Sequence, residues 1–195
     1  MSLLKRSWFI TVVISALCYP SITLADDLFS LLEKFRGEKD RVKQERLLNE
    51  ILKYPDAGAQ LLLVARSTSD PDTKWMAIRG IGFAKYQPAA PLLIEWLGHH
   101  HYGVRANAAR ALGEIRAKSA VPALVRLLRR EKNGGVIEQT SLALQWLEAK
   151  EAVPTLKRAV SHPSIQTRCW VLLAIGKLGS RGDLPFLAKY LLAAA

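Results

Sequence analysis

The four histidines of this sequence are the residues best suited to hold a metal ion, and three of them are consecutive: His99, His100 and His101. Imidazole is the commonest protein ligand of transition metals, so two neighbouring rings could share one ion. The fourth, His162, lies far along the chain, and neither an HExxH motif nor a closely spaced cysteine pair is present. We therefore predict an exposed loop over 99–101, with metal binding as the open alternative.

No other group of residues predicts catalysis. The chain shows no evident serine, histidine and acid grouping of the kind used in nucleophilic hydrolysis. Gly134 and Gly135 are better interpreted as a turn before a helix than as a phosphate-binding loop. The sequence thus indicates no catalytic residue, no metal ligand and no cofactor.

The charge balance favours binding to something acidic. The 195 residues contain 28 Lys and Arg against 17 Asp and Glu, for a formal net charge of +11. A basic protein attracts an acidic partner or surface, although net charge says nothing about the fold. Half of the residues are hydrophobic, and 12 Gly and 9 Pro are ordinary numbers, which excludes collagenous and largely disordered chains.

The N-terminus has the pattern of a secretory signal peptide. Lys5 and Arg6 precede an uncharged run over 7–19, and Ala25 ends a short stretch after Pro20. We predict cleavage after Ala25 and a secreted or periplasmic protein, with an uncleaved membrane anchor as the alternative. Removing 1–25 takes away two basic residues and no acidic one, which lowers the net charge from +11 to +9.

One cysteine, Cys169, remains in the predicted mature chain. It cannot form a disulfide within that chain, so it either pairs with another chain or serves as a small apolar residue on a helix.

Residues recur along the chain with a period of about 31 residues. Prolines occur at Pro91, Pro122, Pro154 and Pro185, with spacings of 31, 32 and 31. The same steps relate Gly82, Gly113, Gln145 and Gly176, and also Leu93, Leu124, Leu156 and Leu187. A period of this length is typical of a solenoid, in which each repeat packs on its neighbours.

Each repeat has the pattern of two amphipathic helices. The apolar faces are formed by Ala108, Leu112 and Ile115 in one helix and by Val121, Leu124 and Leu128 in the next. Between them, Ser119 is the predicted N-cap, and Pro122 falls in the first turn, where proline is tolerated. A recurring glycine such as Gly113 costs helix stability, so we predict that it allows neighbouring helices to approach closely.

These patterns predict an all-α fold, a right-handed α-solenoid of about five helix pairs. The four clear repeats within 72–193 are 72–98, 103–131, 135–161 and 165–193. A weaker unit at 40–67 and a capping helix over Asp27–Phe35 form a degenerate N-terminal capping unit, 26–67.

The best-formed repeat resembles a known family. Val104-Arg105, Ala108-Ala109, Ala111-Leu112-Gly113 and Ala120-Val121-Pro122 followed by Leu124 are similar to the short HEAT-like, armadillo-like repeats of phycobilisome lyases. The resemblance implies a helical solenoid. Members of this family include bilin lyases, iron-dependent hydroxylases, DNA glycosylases and plain binding scaffolds.

Two departures from the family matter. The hydroxylases use His-Glu pairs, and this sequence contains none. Family repeats often carry an aspartate before the arginine position, which the repeats of Arg105 and Arg168 lack. We therefore expect no regular row of polar contacts between repeats.

Basic residues form columns in the predicted second helices. One column is Glu95, Arg126, Arg158 and Lys189, and another, in the turns within repeats, is Gln87, Lys118, Lys150 and Arg181. The first column lies two residues beyond the leucine column, about 200° around the helix, so it must point away from the core. The resemblance implies that second helices line a concave surface, and Arg129, Arg130 and Lys157 add to the predicted basic stripe there. The alternative is an ordinary solvated face.

Two tryptophans fall in columns that mix aromatic and charged residues. These columns are Phe83, Glu114, Trp146 and Lys177, and Trp75, Ala106, Glu138 and Cys169. A mixed column is not expected in a core, so Trp75 and Trp146 are predicted to be partly exposed, and Trp is enriched at binding hot spots. Trp96 has the pattern of ordinary packing.

We therefore predict an exported, non-catalytic scaffold that binds a protein with an acidic surface. The candidate partner-binding residues are Arg126, Arg129, Arg158, Lys189, Lys118, Lys150, Arg181, Trp75 and Trp146. The first alternative is nucleic-acid binding, against which the signal peptide argues. The others are a bilin-lyase-like or metal-dependent HEAT enzyme and attachment to an anionic membrane surface.

Overall fold

The computed structural model describes the backbone of residues 21–192 and the side chains of residues 26–190. This part of the chain contains eleven α-helices, four short 3-10 turns and no strand. The helices are α1 (Ser21–Gly37), α2 (Arg41–Ile51), α3 (Ala57–Ser67), α4 (Pro71–Phe83), α5 (Ala90–Trp96), α6 (Tyr102–Glu114), α7 (Val121–Arg130), α8 (Gly134–Trp146), α9 (Val153–Ala159), α10 (Ile165–Leu178) and α11 (Leu184–Leu192). Apart from the backbone of 21–25, the predicted signal peptide lies outside the described residues. None of the helices described has the length and apolarity needed to cross a membrane.

The chain divides into two compact units, one ending at Tyr54 and the other starting at Pro55. In the first unit, α1 and α2 pack together and bury Phe35, Leu48 and Ile51. Gln44, which is also buried, donates from Nε2 to the Phe35 carbonyl at 3.3 Å. The predicted unit 40–67 is therefore divided, because α2 belongs to the first unit and α3 to the second.

In the second unit, the first helices of successive pairs form a row. Helices α4, α6, α8 and α10 pack side by side in that order, and α3 packs against α4. The predicted leucine column lies in the core, since Leu93, Leu124 and Leu156 are completely buried, whereas Leu187 in the last pair is half-buried. The expected apolar faces of α6 and α7 are buried as well.

Glycines sit where two helices of the row approach most closely. A Cβ added to Gly113 would lie 2.8 Å from the Cα of Ala143, and one added to Gly82 would lie 3.1 Å from the Cα of Ala111. These contacts confirm the predicted reason for the recurring glycine in α4 and α6. Gly176 has the same repeat position in α10, but a Cβ there would meet no described atom within 4 Å.

The turn within the pairs α4–α5, α6–α7 and α8–α9 has a common form. The first helix is followed by a residue in the left-handed region, Lys85, Arg116 or Glu148, with φ of 51°, 57° and 57°. A 3-10 turn then leads into the second helix. The prediction for Ser119 was wrong: it lies inside the 3-10 turn, and the N-cap of α7 is Ala120. A side-chain cap is not needed at Val121, because its N–H donates to the backbone carbonyl of Lys118.

The glycine contacts predict opposite effects for one substitution at two positions. Gly113→Ala should lower the free energy of unfolding by about 1–3 kcal/mol, because the new methyl group overlaps the α8 backbone. Gly176→Ala should raise it by up to about 1 kcal/mol, because the position is open and alanine favours helix. Chemical denaturation in dilute solution measures both changes, and equal effects at the two positions would show that the close approach does not limit packing.

Candidate binding surface

The three consecutive histidines form the loop between α5 and α6, where His99 makes a structural contact. Its Nδ1 accepts the backbone N–H of His101 at 3.1 Å, and its ring stacks on that of His100 with centroids 4.2 Å apart. Burial lowers the pKa of His99, and nearby basic groups, including Lys74, lower it further. The neutral ring, with Nδ1 unprotonated, is therefore the form that holds this loop.

The same contact recurs in every connection between pairs. At the repeat position of His99, a side-chain acceptor binds the N–H of the residue two positions later, and we call this arrangement the acceptor turn. The acceptors are Thr68 Oγ1 (for Asp70, 3.2 Å), His99 Nδ1 (for His101, 3.1 Å), Glu131 Oε1 (for Asn133, 3.0 Å) and His162 Nδ1 (for Ser164, 3.1 Å). Each bonded N–H belongs to the N-cap residue of the next first helix. The acceptor turn therefore places the start of α4, α6, α8 and α10.

Arginines hold two of these turns from the following helix. Arg105 donates from Nη1 to the carbonyls of His99 and His100, at 2.9 and 2.8 Å. Arg168 does the same for His162 and Pro163, at 3.0 and 2.9 Å. His99 and His162 thus have the same structural role in two equivalent loops.

Polar side chains form contacts both within one predicted repeat, 103–131, and between two repeats, 135–161 and 165–193. Arg105 forms a two-pronged ion pair with Glu131, with Nε–Oε2 at 2.8 Å and Nη2–Oε1 at 3.0 Å. Glu138 on α8 accepts from the hydroxyl of Thr167 on α10 at 2.9 Å. The two contacts use different residue types at different repeat positions, so they do not form a regular row.

No group of three or more histidine, cysteine, aspartate or glutamate side chains is assembled as a possible metal site within the described residues. His162 has both ring nitrogens in contact with backbone, since its Nε2 lies 3.1 Å from the Lys132 carbonyl. The histidine geometry therefore gives no support to a metal centre, and the surface charges become the main candidates.

Arg126, Arg158 and Lys189 are all exposed in the second helices. Arg126 and Arg158 form no ion pair with any described residue. Lys189 has its Nζ 5.9 Å from the ring centroid of its neighbour Tyr190. The charges on two of these helices are thus available to a partner.

Lys157, which the sequence adds to the stripe, is already paired. Its Nζ lies 2.5 Å from Asp183 Oδ1 and 5.1 Å from the ring centroid of Phe186. This ion pair and hydrogen bonds from Ser180 lower the pKa of Asp183 to about 2. Arg130 is similarly engaged, since it donates to the Leu97 carbonyl at 3.3 Å.

Arg129 and Arg158 come together at one groove between α7 and α9. The groove is lined by Leu128, Arg129, Glu131, Ile137, Thr155, Arg158, Ala159, Ser161 and His162. Burial raises the pKa of Glu131, but hydrogen bonds from Arg105 and two backbone N–H groups outweigh it and hold that pKa below its usual value. Glu131 is thus an anion already bound by Arg105, which leaves the guanidinium groups of Arg129 and Arg158 without a described counter-ion in a groove of mixed polar and apolar lining.

A second depression brings together Trp146 and Lys150 at the ends of α8 and α10. It is lined by Gln145, Trp146, Glu148, Lys150, Lys177 and Leu178. Trp146 is half-buried, as its mixed column predicts, and the guanidinium of Arg110 lies 5.9 Å from its ring centroid. Its carbonyl accepts a hydrogen bond from Arg116. Lys118 and Arg181 are exposed in 3-10 turns and line neither depression.

Trp75 is not available to a partner, so this part of the prediction was wrong. Its side chain is 9% exposed, and its Nε1 donates to Asp72 at 2.9 Å. A Cβ added to Gly103 on α6 would lie 3.3 Å from the Trp75 ring, so the indole fills the contact between α4 and α6. Trp96 is buried, as predicted.

The histidine contact predicts a pH dependence. Because the folded pKa of His99 is below its ordinary 6.5, the unfolded chain binds more protons in this range, and stability falls as the pH drops below about 6.5. His99→Asn should reduce that fall, since an asparagine oxygen accepts the same N–H without titrating. Melting temperatures between pH 8 and 5 measure it. At pH 8 the two proteins should melt alike, and parallel curves at all pH values would contradict the assignment.

Comparison with known proteins agrees with this architecture. Residues 58–145 match the family model for HEAT repeats. A solved chain in the complex of CpcE and CpcF of phycocyanin lyase from Nostoc sp. PCC7120 superposes with a TM-score of 0.65, covering 84% of this chain and 68% of that chain at 21% identity. No curated protein matches the sequence significantly. Residues 58–145 therefore match HEAT repeats, and the described part of the chain has an all-α fold similar to that of a HEAT-repeat solenoid.

Proposed function

We propose that this protein is an exported, non-catalytic scaffold that binds an acidic protein through the basic face of its second helices. One observation carries the proposal: Arg129 and Arg158 line the same groove, and neither forms an ion pair with a described residue. Two exposed guanidinium groups that line one groove favour an anionic ligand over water alone.

The groove suits an acidic side chain. Each guanidinium presents a planar set of donors that matches the two oxygens of a carboxylate. Of the apolar lining residues, Ala159 is partly exposed, whereas Leu128 and Ile137 are buried beneath the groove. Glu131 cannot neutralise the site, because Arg105 and two backbone N–H groups already bind it.

The remaining candidates extend this surface. Arg126 and Lys189 are exposed on second helices, and Lys118, Lys150 and Arg181 are exposed in the turns. Charges at the rim of an interface mainly raise the association rate and select the partner, whereas contacts in the groove slow dissociation. Solenoids typically bind through such extended surfaces, on the concave side.

Export belongs to the same proposal and rests on the sequence of residues 1–25. An exported scaffold would meet its partner in the cell envelope or outside the cell. The likeness to a phycocyanin lyase chain is at 21% identity and concerns the fold, and no described group of residues indicates the chemistry of such an enzyme.

Charge reversal in the groove tests the proposal. Arg129→Glu with Arg158→Glu should weaken partner binding at least tenfold, a loss of about 1.4 kcal/mol or more, because carboxylates would then face carboxylates. The matched control reverses two exposed arginines outside the groove, Arg46→Glu with Arg66→Glu, so that both variants have the same net charge.

The tagged chain and both variants would be used to capture proteins from an envelope extract, followed by calorimetry with any purified candidate. The proposal expects a protein that wild type and control retain and the groove variant loses. Equal binding by both variants would contradict it. Binding to a labelled oligonucleotide or to anionic vesicles in place of a protein would also contradict it, and circular dichroism would check that each variant is folded.

A further inference from the structure

Helix α10 is the first helix of the last pair, and it presents an apolar face that no described residue covers. Ile165, Cys169, Leu172, Leu173 and Gly176 lie within an arc of about 100° on this helix. Ile165 is 69% and Leu173 is 48% exposed, and the Cys169 thiol is free and exposed. This face carries no charged side chain.

Comparison with the earlier repeats shows that this face has the form of an interface. Val121 and Val153 are 5% and 8% exposed, whereas Leu184, at the same repeat position in the last pair, is 59% exposed. At the position of Gly176, the glycines of α4 and α6 each receive the backbone of the next helix in the row. The last repeat therefore keeps the space for a further helix.

The other end of the row limits which helix can fill that space. A second copy cannot continue the row through its own α4, because α3 already packs against α4. The α10 face of a second copy, in contrast, is uncovered. When two identical faces pair about a two-fold axis, residue i of the first copy contacts residue j of the second, and residue j of the first contacts residue i of the second.

The α10 face meets this requirement. In an antiparallel pair of α10 helices, Ile165 of one copy lies opposite Gly176 of the other, so a large side chain fills the gap that glycine leaves. The same pairing sets Cys169 opposite Leu172. Because the face is uncharged, two copies of a chain with net charge +11 can join here without bringing like charges into the interface.

We propose that the α10 face binds the α10 face of a second copy, forming an antiparallel two-fold dimer. The dimer uses the face of α10, none of whose residues lines the groove of Arg129 and Arg158. The proposed dimer can therefore be tested independently of the proposed acidic partner.

Sedimentation velocity of the full chain tests this directly. Wild type should show a concentration-dependent species of twice the 21.7 kDa chain mass. Leu173→Asp and Gly176→Leu should each raise the dissociation constant at least about tenfold. At dilutions where both proteins are monomeric, Gly176→Leu should not lower the melting temperature, since the chain leaves that position open and leucine favours helix.

Matched controls make the same changes elsewhere. Leu63 is exposed on α3, and Gly37 at the end of α1 also has open space around it, so Leu63→Asp and Gly37→Leu should leave dimerisation unchanged. A chain that stays monomeric at every concentration would overturn the proposal. A dimer that persists in both α10 variants would also overturn it, because another surface would then be responsible.

Thiol cross-linking gives a second measurement, in a Cys18→Ser background that leaves Cys169 alone. Antiparallel pairing places the two Cys169 positions about 4.5 Å apart along the helix axes, within reach of a short bis-maleimide. A cross-linked dimer should form, and Leu173→Asp should abolish it. Failure to cross-link under conditions where sedimentation shows a dimer would overturn the α10 pairing.

Discussion

The structure depends first on the acceptor turn between helix pairs. A helix start leaves several backbone N–H groups without partners, and a short loop must satisfy them while setting the direction of the next helix. Here a side chain accepts the N–H of the N-cap residue, and in two of the turns an arginine holds the loop carbonyls. The first helices then pack so closely that only glycine fits at Gly82 and Gly113. The second helices bring Arg129 and Arg158 to one groove.

The repeat period predicted most of the fold, because apolar and proline positions recur as identical residues. It could not predict the acceptor turn, in which threonine, histidine, glutamate and histidine share a function but not a residue type. The predicted exposure of Trp75 was wrong for a related reason. A column that mixes charge and aromatic residues was expected to be exposed, but Gly103 on the neighbouring helix creates a local space for the indole.

The sequence predicted the candidate surface only in part, because net charge does not distinguish basic residues that bind other groups of the chain from those that do not. Arg105 and Arg168 are used within the loops, and Lys157 is paired with Asp183 across neighbouring repeats. What remains is a smaller set of free charges centred on the groove. In the proposed function, that set is the binding site for an acidic ligand, and the α10 face is a separate surface proposed to bind a second copy.

The acceptor turn is tested most directly by amide hydrogen exchange, measured residue by residue by NMR. We predict that the amide protons of Asp70, His101, Asn133 and Ser164 exchange at least about tenfold more slowly than those of Ser69 and His100, neighbouring loop residues for which the structure shows no such bond. Exchange of all these amides at the same rate would contradict it, because the side-chain acceptors would then not hold the starts of the helices.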